Sequence, residues 1–198
     1  LAEQPLSALA ERVGIGERQL RRLFVDRLGA PPIGVHGTRR LLFAKQLLTE
    51  TTLPITEIAL ASGFGSLRRF NATFLDAYRM APRDLRRQPL VAQEGVMTLR
   101  LGYRPPYDFT AMLDFLRGRA LPGVEHVDAE SYALVIGPAS APGWLRVSAW
   151  PGAEHALKLE LRGVAPTRLL DVVNRLRRMF DLDADPHAIA STLSRDPR

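Results

Sequence analysis

The first half of the chain contains an internal repeat, which constrains the fold more than any other feature of the sequence. Each copy has a short segment with helical apolar spacing, a glycine turn at Gly14-Ile15-Gly16 or Gly63-Phe64-Gly65, and a longer helical segment. Equivalent apolar residues lie 49 positions apart before the turn and 50 after it: Leu6 and Ile55, Ala10 and Ala59, Leu20 and Phe70, Phe24 and Phe74. Because the one-residue slip is confined to the turn, the pattern predicts two copies of one helix-turn-helix unit.

A connecting helix is predicted between the two units, from Pro32 to about Glu50. Its apolar residues recur at helical spacing: Leu41, Leu42, Ala44, Leu47 and Leu48. At about 1.5 Å per residue this helix spans nearly 30 Å, close to the roughly 34 Å of one DNA turn. A rod of this length can hold two recognition helices one major groove apart, although Gly34 and Gly37 weaken its start and leave its rigidity open.

The net positive charge of the chain comes from the same half. Residues 1 to 90 hold 14 Lys and Arg against 8 Asp and Glu, whereas residues 91 to 198 hold 13 of each. A basic balance attracts polyanions without giving sequence specificity. A solvated basic surface explains the charge equally well. The positions of the arginines must therefore show whether this half binds nucleic acid.

Polar residues cluster at the start of both second helices, where a recognition helix meets base edges. Arg, Gln and Asn side chains pair bidentately with guanine or adenine in the major groove, and Ser66 is in addition a good N-cap. For any single one of these arginines, a solvated surface position is as good an explanation as DNA contact. The clustering in both units favours DNA contact by Arg18, Gln19, Arg21, Arg22, Ser66, Arg68, Arg69 and Asn71.

The second half is predicted to be a small α+β domain. Residues 89 to 96 lack a period and indicate a linker, and Thr98 to Arg104 then alternates as a strand does. Asp108 can cap a helix that ends near Ala120. Further strands are expected at 132–136, 144–150 and 156–161, and a last helix opens at Pro166. This order predicts an antiparallel sheet backed by helices, so the fold class is an all-α tandem helix-turn-helix domain followed by an α+β domain.

Several chemistries are excluded or unsupported by the residues present. The chain has no cysteine, which excludes disulfides and cysteine-ligated zinc. Its four histidines lack metal-ligand spacing, and a calcium loop at Asp181 to Asp185 is broken by Pro186 where glycine belongs. We expect no catalytic residue, metal or cofactor in this segment. The arginines at 175, 177 and 178 are expected on the solvated face of a helix, and neither a membrane span nor a signal peptide is predicted, which favours the cytoplasm.

The first half resembles the DNA-binding domain of AraC-type transcription regulators over about residues 3 to 88. The matching residues are Ile58-Ala59, Gly63-Phe64, Phe70, Phe74, Tyr78, Pro82 and Leu85-Arg86. The resemblance implies a domain at 1–88 that binds asymmetric promoter sites on double-stranded DNA as a monomer, with RNA polymerase as a further partner. It also implies that the arginines named above read bases and phosphates. Ala72 departs from the longer polar residue frequent in the family, which puts that contact in doubt.

The second half resembles the N-terminal domain of AlkA-type DNA-3-methyladenine glycosylases, an α+β domain similar to half of the TATA-binding protein. The matching segments are Tyr103 to Asp108, Arg119-Ala120, Gly123 to Glu125 and Phe180 to Pro186. The resemblance implies a domain at 97–184. It also implies that residues 185–198 begin a helix-hairpin-helix glycosylase domain, in which the catalytic aspartate lies.

Together the two resemblances are those of an Ada-like alkylation-response fusion. They imply a regulator of promoters whose parent protein also binds alkylated DNA and removes damaged bases by flipping them. One alternative is an AraC-type transcription factor whose second half binds a small effector between sheet and helices. Another is an enzyme active within this segment, which the residues do not favour.

Overall fold

The structure, a computed structural model, describes residues 5–86, 95–152 and 155–195. Six helices form the N-terminal part of these ranges. They are α1 (Leu6–Val13), α2 (Glu17–Leu28), α3 (Pro32–Glu50), α4 (Ile55–Ala61), α5 (Leu67–Tyr78) and α6 (Pro82–Leu85). The helices α1 with α2, and α4 with α5, are the two predicted helix-turn-helix units, and α3 is the predicted connecting helix. Despite Gly34 and Gly37, α3 is continuous from its first residue. The tandem helix-turn-helix prediction is therefore confirmed.

The second unit is packed around an aromatic row. The rings of Phe64 and Phe70 lie 5.2 Å apart, those of Phe70 and Phe74 lie 5.6 Å apart, and Tyr78 continues the row at 4.6 Å from Phe74. Ala59 on α4 is buried and lets the two helices approach closely. These residues join the buried stripe of α3 in one core, so the position of α5 is set by α3 as well as by α4.

The first unit has a smaller core. Ala10 and Leu20 are buried, as the repeat predicts, but Val13, Leu23 and Leu28 are 56%, 39% and 59% exposed. Their counterparts in the second unit are less exposed: Ser62 is buried, and Thr73 and Tyr78 are half-buried. The reason is that α3, α4, α5 and α6 all pack together there. The apolar repeat therefore predicted the helices correctly and overestimated how much of unit one is buried.

The C-terminal part is built on an antiparallel sheet. The strands within the described residues are β1 (Met97–Gly102), β2 (Glu125–Val127), β3 (Ser131–Ile136), β4 (Gly143–Ala149) and β5 (Ala156–Arg162). Their order across the sheet is β1-β5-β4-β3-β2. The strand β2 was not predicted, since three residues that follow a proline-glycine turn are too few to show alternation.

Two helices cover one face of this sheet. They are α7 (Phe109–Arg117) and α8 (Leu169–Met179), the latter preceded by a 3-10 turn at Pro166–Arg168, and α9 (Pro186–Leu193) follows them. The core between sheet and helices includes Leu113, Val173, Phe180 and Tyr132, all buried. Asp108 caps α7 through the N–H of Ala111 at 2.8 Å, as predicted. The α+β prediction is confirmed, while most of the predicted linker lies outside the described residues.

The helix α3 also contacts the edge strand of the sheet. The side-chain amide of Gln46 donates to the carbonyl of Arg100 at 2.6 Å, and the carboxylate of Glu50 accepts the N–H of Arg100 at 2.8 Å. Gln46 and Glu50 are hydrogen-bonded to each other at 2.9 Å. A side-chain pair thus satisfies a backbone donor and acceptor that an edge strand leaves open. We call these three residues the edge clasp; together with contacts between α4 and the 3-10 turn, it joins the two parts of the chain.

Burial along α3 gives a matched pair of substitutions. Leu47 is 0% exposed and Leu42 is 55% exposed on the same helix. Leu47→Ala is expected to lower the free energy of unfolding by about 2 to 5 kcal/mol, because it leaves a cavity in the core. Leu42→Ala is expected to change it by less than about 0.5 kcal/mol. Urea denaturation measures both, and equal losses in the two variants would contradict the packing described.

The edge clasp predicts a pH dependence of stability. Burial raises the pKa of the Glu50 carboxyl, and the hydrogen bonds from Arg100 and Gln46 lower it less. The folded-state pKa therefore exceeds the unfolded value of about 4.3. The contribution to stability is fully present below the unfolded pKa and is lost as the pH rises through the folded pKa.

Glu50→Gln is expected to remove this dependence, because its amide oxygen can still accept the N–H of Arg100 and carries no charge. The stability of the variant minus that of the wild type should therefore be larger at pH 7 than at pH 4, as measured by urea denaturation. A difference that is constant over this pH range would contradict the raised pKa.

Candidate DNA interface

The first turn of α5 is held by a side-chain cap. The hydroxyl of Ser66 accepts the N–H of Arg69 at 3.2 Å, which satisfies one of the free donors at the helix start. Arg68, Arg69 and Asn71 are all exposed, whereas Phe70 between them is fully buried. The buried ring anchors the helix to its core, and the polar side chains extend from the opposite surface. Arg and Asn at the N-terminal end of an exposed helix can reach base edges and phosphates.

The turn before α5 is fixed from α3 by Arg40. Its Nε donates to the carbonyl of Ser62 at 2.9 Å, and its Nη2 donates to the carbonyl of Gly63. The guanidinium also lies 4.2 Å from the centre of the Phe64 ring. Gly63 has a φ of 78°, and a Cβ there would lie 3.2 Å from Arg40 Nε, so this contact also requires glycine. Arg40 thus fixes the angle at which α5 leaves α4.

Sequence reasoning did not identify Arg40, although a signal was present. Arg40 lies one helical turn before the buried Ala44, on the stripe of α3 that faces the core. An arginine on such a stripe needs partners for its guanidinium. The carbonyls of a turn, which have no helical partner, are suitable acceptors.

The first recognition helix, α2, exposes the four polar residues predicted for it. Arg18, Gln19, Arg21 and Arg22 are all exposed, and Leu20 between them is buried. Arg21 lies 3.7 Å from the carboxylate of Glu17, a surface pair that remains 62% and 45% exposed. Such a pair contributes little to stability, so Arg21 remains available to a phosphate. The N-cap here is Gly16, which has no side-chain acceptor.

The two polar clusters lie on helices separated by the rod α3. With 19 residues and a rise of about 1.5 Å per residue, α3 is about 28 Å long. The structure thus gives each unit one exposed polar recognition helix with a buried anchor, Leu20 in α2 and Phe70 in α5. This arrangement suits two successive major grooves of one duplex.

Polar residues of the second domain form a structural network at one end of the sheet. Arg104 pairs with Asp185 at 3.0 Å, and Asp185 also caps α9 through the N–H of Ala188. The hydroxyl of Tyr107 donates to the carbonyl of Phe180 at 2.8 Å. The Tyr103-to-Asp108 segment therefore contacts the end of α8 through Tyr107 and the start of α9 through an exposed ion pair, which contributes little to stability.

One of the arginines expected on a solvated face belongs to this network instead. The side chain of Arg177 is 26% exposed and bonds the carboxylate of Asp183 at 2.6 Å and the carbonyl of Gly102 at 3.2 Å. The prediction for Arg177 was wrong because the turn after α8 folds back over it. Arg177 in turn lowers the pKa of Asp183 by hydrogen bonding.

The other perturbed carboxylates have structural partners too. The hydroxyl of Tyr132 donates to Glu125 at 2.5 Å and lowers the pKa of that carboxyl. Hydrogen bonds from the N–H of Glu130 and the hydroxyl of Ser131 lower the pKa of Asp128. In the ranges that the structure describes, no group of three or more His, Asp or Glu residues could hold a metal ion. No helix within those ranges is long and apolar enough to cross a membrane.

Comparisons with known proteins divide the chain in the same way as its fold. A family described as a helix-turn-helix domain matches residues 9–88, and the AlkA N-terminal domain family matches residues 98–198. A probable bifunctional transcriptional activator/DNA repair enzyme AlkA from Mycobacterium tuberculosis is 34% identical over 97% of this chain. The chain spans 39% of that relative's length.

The helical half has relatives of its own. The transcriptional regulator GbdR from Pseudomonas aeruginosa is 38% identical over 44% of this chain and 25% of its own length. A solved AraC-type regulator from Chromobacterium violaceum is 37% identical, with 42% of this chain and 74% of that chain covered and a TM-score of 0.40. The chain therefore belongs to the AlkA N-terminal domain family and carries a helix-turn-helix module in front of that domain.

Proposed function

We propose that this chain reads a promoter sequence through α2 and α5, as the regulatory part of a protein that also repairs alkylated DNA. The supporting observation is the repeated arrangement in which Leu20 or Phe70 anchors a helix whose neighbouring Arg, Gln or Asn side chains are exposed. In this proposal the DNA-contacting residues are those predicted from the sequence: Arg18, Gln19, Arg21, Arg22, Ser66, Arg68, Arg69 and Asn71. Ser66 contributes through the helix start that it caps.

The roles of these residues differ by position. Arg68 and Asn71 on α5, with Arg22 on α2, read bases, because bidentate donors near the start of a recognition helix meet base edges. Arg21 contacts a phosphate, because its exposed ion pair with Glu17 is too weak to withhold it from DNA. The chain acts as a monomer, since α3 joins two reading helices that simpler regulators supply from two subunits. RNA polymerase is a further proposed partner, as for an activator bound beside a promoter.

The repair activity of the whole protein is a second part of the proposal. A relative over nearly the full chain is named a transcriptional activator/DNA repair enzyme. Asp185 pairs with Arg104 and caps α9, which we propose to be the first element of a glycosylase domain. The parent protein would then release 3-methyladenine from DNA by flipping the base out of the helix.

An effector-binding second domain is less well supported. This alternative places a small ligand between sheet and helices, but that layer is filled by side chains such as Phe180 and Leu113, with 0% and 1% exposure. A groove of about 430 Å³ lies instead against β2, β3 and β4.

Replacement of a base-reading arginine tests the regulator proposal. Arg22→Ala and Arg68→Ala are each expected to weaken binding to the specific site by about 1 to 3 kcal/mol, with a much smaller effect on random DNA. Fluorescence anisotropy at fixed salt measures both affinities, after the site has been selected from a random-sequence library with the full chain. The control is Arg178→Ala, an exposed arginine on α8, which should leave the specificity ratio unchanged.

Two outcomes would contradict this assignment. An equal loss on specific and random DNA would make Arg22 and Arg68 phosphate contacts. Failure of the library to yield any preferred site would contradict the regulator function itself.

The repair proposal is tested on the full-length gene product. It should release 3-methyladenine from methylated duplex DNA, and Arg104→Ala should lower this release only modestly, because the Arg104–Asp185 pair at the start of α9 is exposed and contributes little free energy. Base release is measured by chromatography, with Arg119→Ala as the matched control on the helix side of the same domain. An inactive full-length protein would contradict the repair function, and a large loss in the Arg104 variant would contradict the minor role of this exposed ion pair.

A further inference from the structure

In the part of the chain that the structure describes, helices cover one face of the second domain's sheet, and several cations lie on the opposite face. The side chains of Leu99, Leu145 and Leu159 are buried beneath the helices, and their neighbours along each strand lie on the opposite face. Among the described residues, four cations lie on that face: Arg100, Lys158, Arg146 and Arg162. One carboxylate, Glu160, lies between them. We call this surface the basic sheet face.

Strand register places two of these cations directly opposite each other. Arg100 on β1 pairs with Lys158 on β5, and directly opposed like charges destabilise a sheet. Lys158 is balanced by Glu160 at 2.6 Å. Glu160 also lies opposite Arg146 in the register, while Glu50 lies beside Arg100 and Asp128 interacts with Arg146. On the face itself, four cations still outnumber one carboxylate, and Arg100, Arg146 and Arg162 are all exposed.

The remaining residues of the face include several small side chains beside one aromatic ring. Ser131, Ala133 and Ser148 lie on β3 and β4, while Trp144 lies opposite Arg162 on β5 and opposite the exposed Val135 on β3. Trp144, half-buried, and Arg146 also line the groove against β2 and β3. The small side chains leave room for a sugar-phosphate backbone to approach the cations.

We propose that the basic sheet face is a second DNA-binding surface, which contacts the phosphate backbone outside the site read by α2 and α5. The proposal rests on the proposed regulatory function. The supporting argument is charge complementarity, since duplex DNA carries one charge per about 1.7 Å of axis. Lys158 and Arg162 are four residues apart on one strand, a distance of about 13 Å. The same length of duplex axis carries about eight phosphate charges.

Its position in the chain favours DNA over an acidic protein as the partner. The edge clasp joins β1 to α3 through Arg100 itself, so the face is carried by the same rod as the recognition helices. DNA held by α2 and α5 would therefore be at high effective concentration beside this domain.

The test compares the salt dependence of DNA binding by full-chain variants. Arg146→Gln/Arg162→Gln removes two charges from the basic sheet face, and Arg178→Gln/Arg195→Gln removes two exposed charges elsewhere in the domain. The probe is the selected site within a duplex extended by about three helical turns on each side. The first variant should lower the slope of log K against log salt by about 1 for each arginine lost, and the control should leave it unchanged.

Duplex length gives a second measurement. On a duplex trimmed to the site read by α2 and α5, the sheet-face variant and the wild type should bind with equal affinity. The specificity ratio for the site should be the same for both proteins on either duplex. A wild type that showed no preference for the site over random DNA would contradict the proposed function and not this surface.

Three results would overturn the proposal. One is an unchanged slope in the sheet-face variant on the extended duplex, and another is an equal change in the control variant. The third is a loss of binding to polyglutamate, used as an acidic-protein probe, without a loss of binding to DNA. Circular dichroism of each variant confirms that the fold is retained.

Discussion

The rest of the structure depends on the packing of α3. This helix supplies Leu47 and Leu48 to the core, holds the turn of the second unit through Arg40, and bonds the edge strand through Gln46 and Glu50. A single rigid element therefore sets the distance between the reading helices and the position of the second domain. Helix stability in proteins comes chiefly from such tertiary packing, which explains how α3 accommodates two early glycines.

The two helix-turn-helix units differ in how strongly they are held. The second has an aromatic row, a Ser66 cap and the Arg40 contact, whereas the first has a glycine cap and two buried apolar residues, Ala10 and Leu20. Segments with few buried contacts open at lower free-energy cost. We therefore expect α5 to be held rigidly by its unit and α2 to shift more easily when it contacts DNA. This difference suits a regulator that reads an asymmetric site with two unequal halves.

Much of the fold was predictable because local patterns and tertiary packing agree in it. The 49- and 50-residue offsets and the Pro32 start gave five helices, the Asp108 cap gave α7, and strand alternation gave most of the sheet. Contacts between distant residues were not predictable. The arginine at 177 was expected to be solvated because nothing local shows that Asp183 folds back onto it. The edge clasp was missed for the same reason, since Gln46 and Arg100 lie 54 residues apart. For Arg40 the position on the buried stripe of α3 was a local signal, but its partner, 22 residues away, was not predictable.

The central claim is that one chain places two reading helices in successive major grooves of one duplex. Hydroxyl-radical and methylation-protection footprinting of the full chain on its selected site tests it most directly. The account predicts two protected major-groove segments on one face of the DNA, centred about 10 base pairs apart, at a stoichiometry of one chain per duplex. A single protected segment, or two segments that require two chains, would contradict it.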